Sequence, residues 1–145
     1  MTSKQVSRTI LIMVATFGVG VVGGMYAERT TSAQQSGITR TELTRVDVPG
    51  SATHEAVMAV AEIAPGASSG RHYHHGVEIG YVIDGSMVVE RPDGSNVSLK
   101  QGQSFRNPIA EVHNAKNPGA TPVKILAVYI VEKGKPLAET ASDHR

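Results

Sequence analysis

Residues 66–85 read "GASSGRHYHHGVEIGYVIDG". Three of the six histidines, His72, His74 and His75, fall within four positions, and a carboxylate, Glu78, follows. His72 and His74 are spaced i, i+2, so on a strand both imidazoles point to one side and can meet one ion. The same alternation turns Tyr73 and His75 to the other side. Glu78 comes four residues after His74, and a bend at Gly76 would return its carboxylate to the same centre. His113 is a fourth candidate, far along the chain. Three neutral nitrogens and one carboxylate suit a borderline divalent ion: Mn, Fe, Co, Ni, Cu or Zn. Four protein ligands around a six-coordinate ion leave two positions open. A His-x-His-His run by itself is more often a solvated turn than a metal site, so spacing alone leaves both readings standing.

Working outward, the chain is punctuated by turns. "IGYVI" (79–83) and "SMVVE" (86–90) are rich in β-branched residues and separated by Asp84-Gly85, a hairpin signal because both positions tolerate positive φ. "PDGS" (92–95) and "NPGAT" (117–121) are further turns, and "NVSL" (96–99) and "VKILAVYIV" (123–131) further strands. "EAVMAVAEI" (55–63) is apolar on both sides, as in a strand covered on both faces. About nine short strands with frequent turns, and no helical period beyond the leader, predict an all-β antiparallel sandwich or barrel.

The N-terminus has a different texture. Lys4 and Arg8 precede the apolar run "ILIMVATFGVGVVGGMYA" (10–27), and Thr31-Ser32-Ala33 offers small residues for cleavage. Residues 1–33 therefore read as a signal peptide or an N-terminal membrane anchor, and either sends the remainder out of the cytoplasm, to the periplasm or the medium. Residues 34–38 read as a linker, 39–137 as the folded domain and 138–145 as a flexible tail. With no cysteine, disulfides, thiolate ligands and a cysteine nucleophile are excluded, and a net charge of +1 gives no footprint for nucleic acid. No phosphate-binding glycine loop and no G-x-S-x-G elbow occurs.

Two spaced patterns carry a family resemblance. Gly66, His72, His74, Glu78 and Gly85 meet every fixed position of the first cupin motif, G-x5-H-x-H-x3-E-x6-G. "GQSFRNPIAEVHNAKN" (102–117) resembles the second, G-x5-P-x-G-x2-H-x3-N, through Gly102, Pro108, His113 and Asn117, with Ala110 where the motif has glycine. The chain thus resembles a small single-domain (type 2) cupin of the exported bacterial type. The resemblance implies a jelly-roll β-barrel (double-stranded β-helix) with His72, His74, Glu78 and His113 as metal ligands facing its interior. It also implies a metal-dependent dioxygenase, isomerase, cyclase or lyase acting on a small oxygenated compound, with homodimers common; the alternative is a non-catalytic binder of a small ligand or metal in the cell envelope.

Around the site, Tyr81 and Tyr129 are candidate proton donors and Glu111 a candidate base if it shares the inward side with His113. Arg71 and Arg106 flank ligand-bearing segments and are candidates for holding an anionic substrate. Met58, Met87 and Phe105 are expected in the core or cavity wall.

Overall fold

The computed structural model describes residues 37–142; the leader and most of the linker lie outside the described residues. Ten strands run in chain order: β1 (Ile38–Asp47), β2 (His54–Ile63), β3 (His72–Tyr73), β4 (Gly76–Asp84), β5 (Ser86–Glu90), β6 (Asn96–Lys100), β7 (Ser104–Asn107), β8 (Asn114–Lys116), β9 (Val123–Glu132) and β10 (Glu139–Thr140). No helix occurs among them. All pairings are antiparallel, in a five-stranded sheet β1-β2-β9-β4-β7, a three-stranded sheet β6-β5-β8 and the short pair β10-β3. This is the antiparallel barrel anticipated from the turn spacing, in the jelly-roll form that the family resemblance implied.

Alternation along the strands builds the core. Val57, Ala59, Ala61 and Ile63 of β2 are buried, as are Val123, Ile125, Ala127, Tyr129 and Val131 of β9; Met87, Val89 and Leu99 meet them from the smaller sheet. The opposite side of β2 is less covered than its composition suggested. Met58 and Val60 are only half-buried, and they continue through Leu126 and Val128 of β9 to Ile79 and Tyr81 of β4 as an apolar outer sheet face.

Three local expectations are corrected. Asp84-Gly85 is not a hairpin turn: β4 pairs with β7 and β9, β5 with β6 and β8, so the turn hands the chain from one sheet to the other. Gly85 takes φ 80° there. Gly76 is not a bend but the first residue of β4, and it is glycine because β9 passes so close that a Cβ would lie 1.9 Å from the Ile130 carbonyl oxygen. The tail expected to be free from residue 138 is tied down through Ala141. Leu137 is buried, β10 pairs with β3, and Ala141 N–H donates to Arg71 O at 3.0 Å. A polar composition hid one apolar anchor and a strand-edge partner.

Gly76→Ala is expected to destabilise the domain by about 3 kcal/mol, read as a lower urea midpoint at unchanged m-value.

Candidate metal centre

His72 begins β3, and His74 follows it after one residue. Across from β3, His72 and His113 form an isolated antiparallel bridge in which each backbone N–H donates to the other's carbonyl, at 3.0 and 2.9 Å. Directly paired residues present their side chains on one face, so the two ligand-type residues most distant in sequence become neighbours. Glu78 lies on β4 opposite Asn107 of β7 and Tyr129 of β9, which sets those three side chains in one inward row. His72, His74, Glu78 and His113 are all buried. Tyr73 and His75 turn outward as alternation required, and His75 meets Glu139 at 2.5 Å.

Each imidazole is oriented by a backbone carbonyl. Nδ1–H of His72 donates to Gly70 O (2.9 Å), that of His74 to Leu137 O (2.5 Å), and that of His113 to Glu111 O (2.9 Å). A carbonyl only accepts, so the proton resides on Nδ1 and the Nε2 lone pair is left facing inward. Ligand-type atoms of the three histidines all lie within 4.8 Å of one another. Three nitrogens sharing one ion at about 2.1 Å each stand roughly 3–4 Å apart, so the trio is already gathered about one point. Glu78 Oε2 lies 3.1 Å from His74 Nε2 and 3.6 Å from His113 Nε2, near the roughly 3 Å that separates adjacent ligands at such bond lengths.

The donor set fits a cation for a further reason. With Nδ1–H already engaged, Nε2 of a neutral His74 has no proton to offer Glu78, so two acceptors face each other in a buried site. Either protons charge the imidazoles or a positive ion stands among the four groups. Burial works against ionisation of Glu78, yet hydrogen bonding to His113 and His74 and their charge more than offset it and hold the carboxyl well below its ordinary range. Burial, followed by the charge of His113, lowers His72 to about 4, so it is neutral and competent to ligate at neutral pH.

Two interior residues escaped the sequence reading. Asn107 is buried, and its Nδ2 donates to Glu78 Oε2 (2.5 Å) and His113 Nε2 (3.0 Å), bracing two of the four groups. Arg40 of β1 shares the inward side with Ile38, and its guanidinium carbon sits 5.9 Å from the centre of the Tyr129 ring. Arg40, Phe105, Tyr129, Glu78, His72 and His113 are among the groups lining an internal chamber of about 40 Å³. Ala59, Ala127 and Gly80 pair across the large sheet as a row of small residues. Phe105 lies so close over Gly80 that a Cβ there would be 2.1 Å from its ring.

Of the proton-transfer candidates, Tyr129 is inside, 1% exposed and with its ring 5.1 Å from that of His74. Burial first, and Glu78 next, push its hydroxyl far above the ordinary tyrosine range. Tyr81 is 47% exposed on the outer sheet face and does not reach the site. Glu111 lies outside any strand, and its carboxylate pairs with Arg91; only its carbonyl serves the site, by orienting His113. Arg71 lines an outer cleft of about 250 Å³ that His113 also borders, and Arg106 is exposed. Met87 is buried, whereas Met58 faces outward.

Residues 59–129 match the Cupin domain family. Solved structures carry the same fold. The polyketide cyclase RemF from Streptomyces resistomycificus is 25% identical, with a TM-score of 0.58 over 74% of this chain and 75% of that one. An uncharacterised double-stranded β-helix protein from Klebsiella pneumoniae is 20% identical, with a TM-score of 0.60 over 78% and 91%. A cupin domain from Bordetella pertussis is 22% identical, with a TM-score of 0.52 over 68% and 97%. No protein of curated function matches the sequence. The chain belongs to the cupin family, as a single-domain member with a histidine triad able to hold a metal ion.

Ala110, where the second motif has glycine, is the one non-glycine residue with positive φ (58°) among those described. It sits in the turn closed by Glu111 N–H to Pro108 O (3.2 Å), and its own N–H donates to His74 O (3.1 Å). Ala110→Gly is expected to stabilise the domain by about 0.5–1 kcal/mol without changing metal content, measured by urea unfolding and elemental analysis. A second expectation concerns pH. The folded-state value of His72 lies below that of the unfolded chain, so between about pH 6.5 and pH 4 the unfolded state binds more protons. Metal-stripped protein should therefore lose up to about 3 kcal/mol as pH falls through that window, and His72→Gln should flatten the profile of urea midpoint against pH.

Proposed function

We propose that this chain is an exported metal-dependent enzyme in which His72, His74, Glu78 and His113 hold one divalent transition metal and a small oxygenated organic compound is the substrate. The observation that carries the reading is the common orientation of the histidines, each with Nδ1–H fixed by a backbone carbonyl and Nε2 turned toward Glu78. A divalent ion held there would supply Lewis-acid polarisation of an oxygen at its open positions. The chain's own residues would do the rest. Tyr129 keeps its proton at any ordinary pH, which suits its hydroxyl to donating a hydrogen bond to a developing oxyanion and unsuits it as a base. Asn107 holds Glu78 and His113 in register, and Val89, Phe105 and Ile125 give the chamber an apolar wall. The likeness to a protein named as a polyketide cyclase supports a catalytic role.

The second reading is a non-catalytic binder of a small ligand or metal, favoured by a chamber of only about 40 Å³. Export rests on the apolar leader of residues 10–27. A homodimer is supported by the apolar outer face around Ile79, Tyr81 and Ile130, each at least 39% exposed.

The test is elemental analysis of the untagged protein. About one equivalent of transition metal is expected, with loss of at least tenfold in affinity for His113→Ala. A folded, metal-free wild type that the double change His72→Ala and His113→Ala leaves unaltered would end the metal reading. Turnover or oxygen uptake on small diketone and phenolic compounds then separates enzyme from binder.

A further inference from the structure

Two buried polar atoms among the described residues have no hydrogen-bond partner, Arg40 Nε and Asn107 Oδ1, and both residues line the chamber. The first is a donor and the second an acceptor. An unsatisfied buried polar atom costs about 1–3 kcal/mol, so two in one chamber beside a candidate metal centre call for a complement. Arg40 also enters none of the ion pairs among the described residues, and its interaction in the interior is with the neutral Tyr129 hydroxyl. Beyond Glu78, none of the residues lining the chamber carries a carboxylate, so Arg40 faces it with no ion-pair partner of its own.

We propose that the chamber takes a small hydroxy carboxylate, whose carboxylate accepts from Arg40 and whose hydroxyl donates to Asn107 Oδ1. A charged acceptor suits a guanidinium better than a neutral one, because charge-assisted hydrogen bonds are roughly twice as strong. A volume of about 40 Å³ leaves room for roughly three water-sized groups, which limits the ligand to a few heavy atoms. The second carboxylate oxygen is left to face His72 and His113, which line the same chamber. The inference rests on reading this chamber as the ligand site of the metal centre, and it makes Arg40, on the first strand and outside both motifs, a residue that selects for charge.

The test compares glycolate with glycolamide, which lacks the charge, and with acetate, which lacks the hydroxyl. Calorimetric titration uses the protein as isolated, with metal content measured on the same sample. Glycolate is expected to bind wild type at least tenfold tighter than either analogue. Arg40→Gln should weaken glycolate at least tenfold and leave glycolamide and metal content unchanged, and Arg40→Lys should keep the preference for glycolate. Equal binding of glycolate and glycolamide by wild type, or an undiminished preference in Arg40→Gln, overturns the proposal. If circular dichroism shows the Gln variant unfolded, the wild-type and Lys titrations decide. Absence of metal from wild type counts against the metal reading alone, since the effect of Arg40 on glycolate is read in the same titrations whatever the metal content.

Discussion

A buried carboxylate facing buried imidazole lone pairs is the constraint around which this barrel is arranged. Taking Glu78 out of water costs several kcal/mol unless positive charge and hydrogen bonds replace the solvent. The Asn107 amide of β7 donates one hydrogen bond, and the positive charge must come from an ion or a proton held between Glu78 and the imidazoles of His74, after β3, and His113, before β8. None of these is local to Glu78 except His74. The site therefore holds together only when both sheets are in register, and its chemistry reports on the whole fold.

The supports are backbone groups as much as side chains. Leu137 O reaches His74 because the chain after β9 turns back and docks Leu137 into the core, and β10 then pairs with β3, where His72 itself begins. Gly70 O and Glu111 O hold the other two rings from the bends that flank the His72–His113 bridge. A carbonyl cannot titrate or rotate away as a side chain can, so the tautomer of each ring is set by the path of the main chain.

Electrostatics divides the interior into two ends. At one end the imidazoles and Glu78 form a cation site; at the other, Arg40 presents a positive charge, with the Tyr129 hydroxyl under the opposed influence of Glu78 and Arg40 between them. Phe105 lines the chamber and packs over Gly80, where a Cβ would collide with its ring.

The sequence by itself determined the β architecture and the four ligand-type residues. Alternation and turn chemistry are local properties, and the i, i+2 spacing of His72 and His74 already implies a shared side on a strand. It also told His75 apart from its neighbours by the same parity. What it could not contain were the long-range pairings. Asp84-Gly85 has hairpin chemistry, but whether it folds a hairpin or crosses between sheets depends on which strands compete for β4 and β5. Tyr81 lies an odd number of residues past Glu78 on β4, so parity turns it outward, whereas only the pairing of β9 with β4 sets Tyr129 opposite Glu78 and beside His74. Glu111 lies two residues before His113, yet because the segment is a turn and not a strand, parity does not apply and its side chain goes to Arg91. Arg40 and Asn107 carry no signal of their own, since an arginine in a polar-looking first strand and an asparagine before a proline are ordinary. Tertiary structure alone brought them to the chamber, because burial is decided by what packs across from a residue and not by what precedes it.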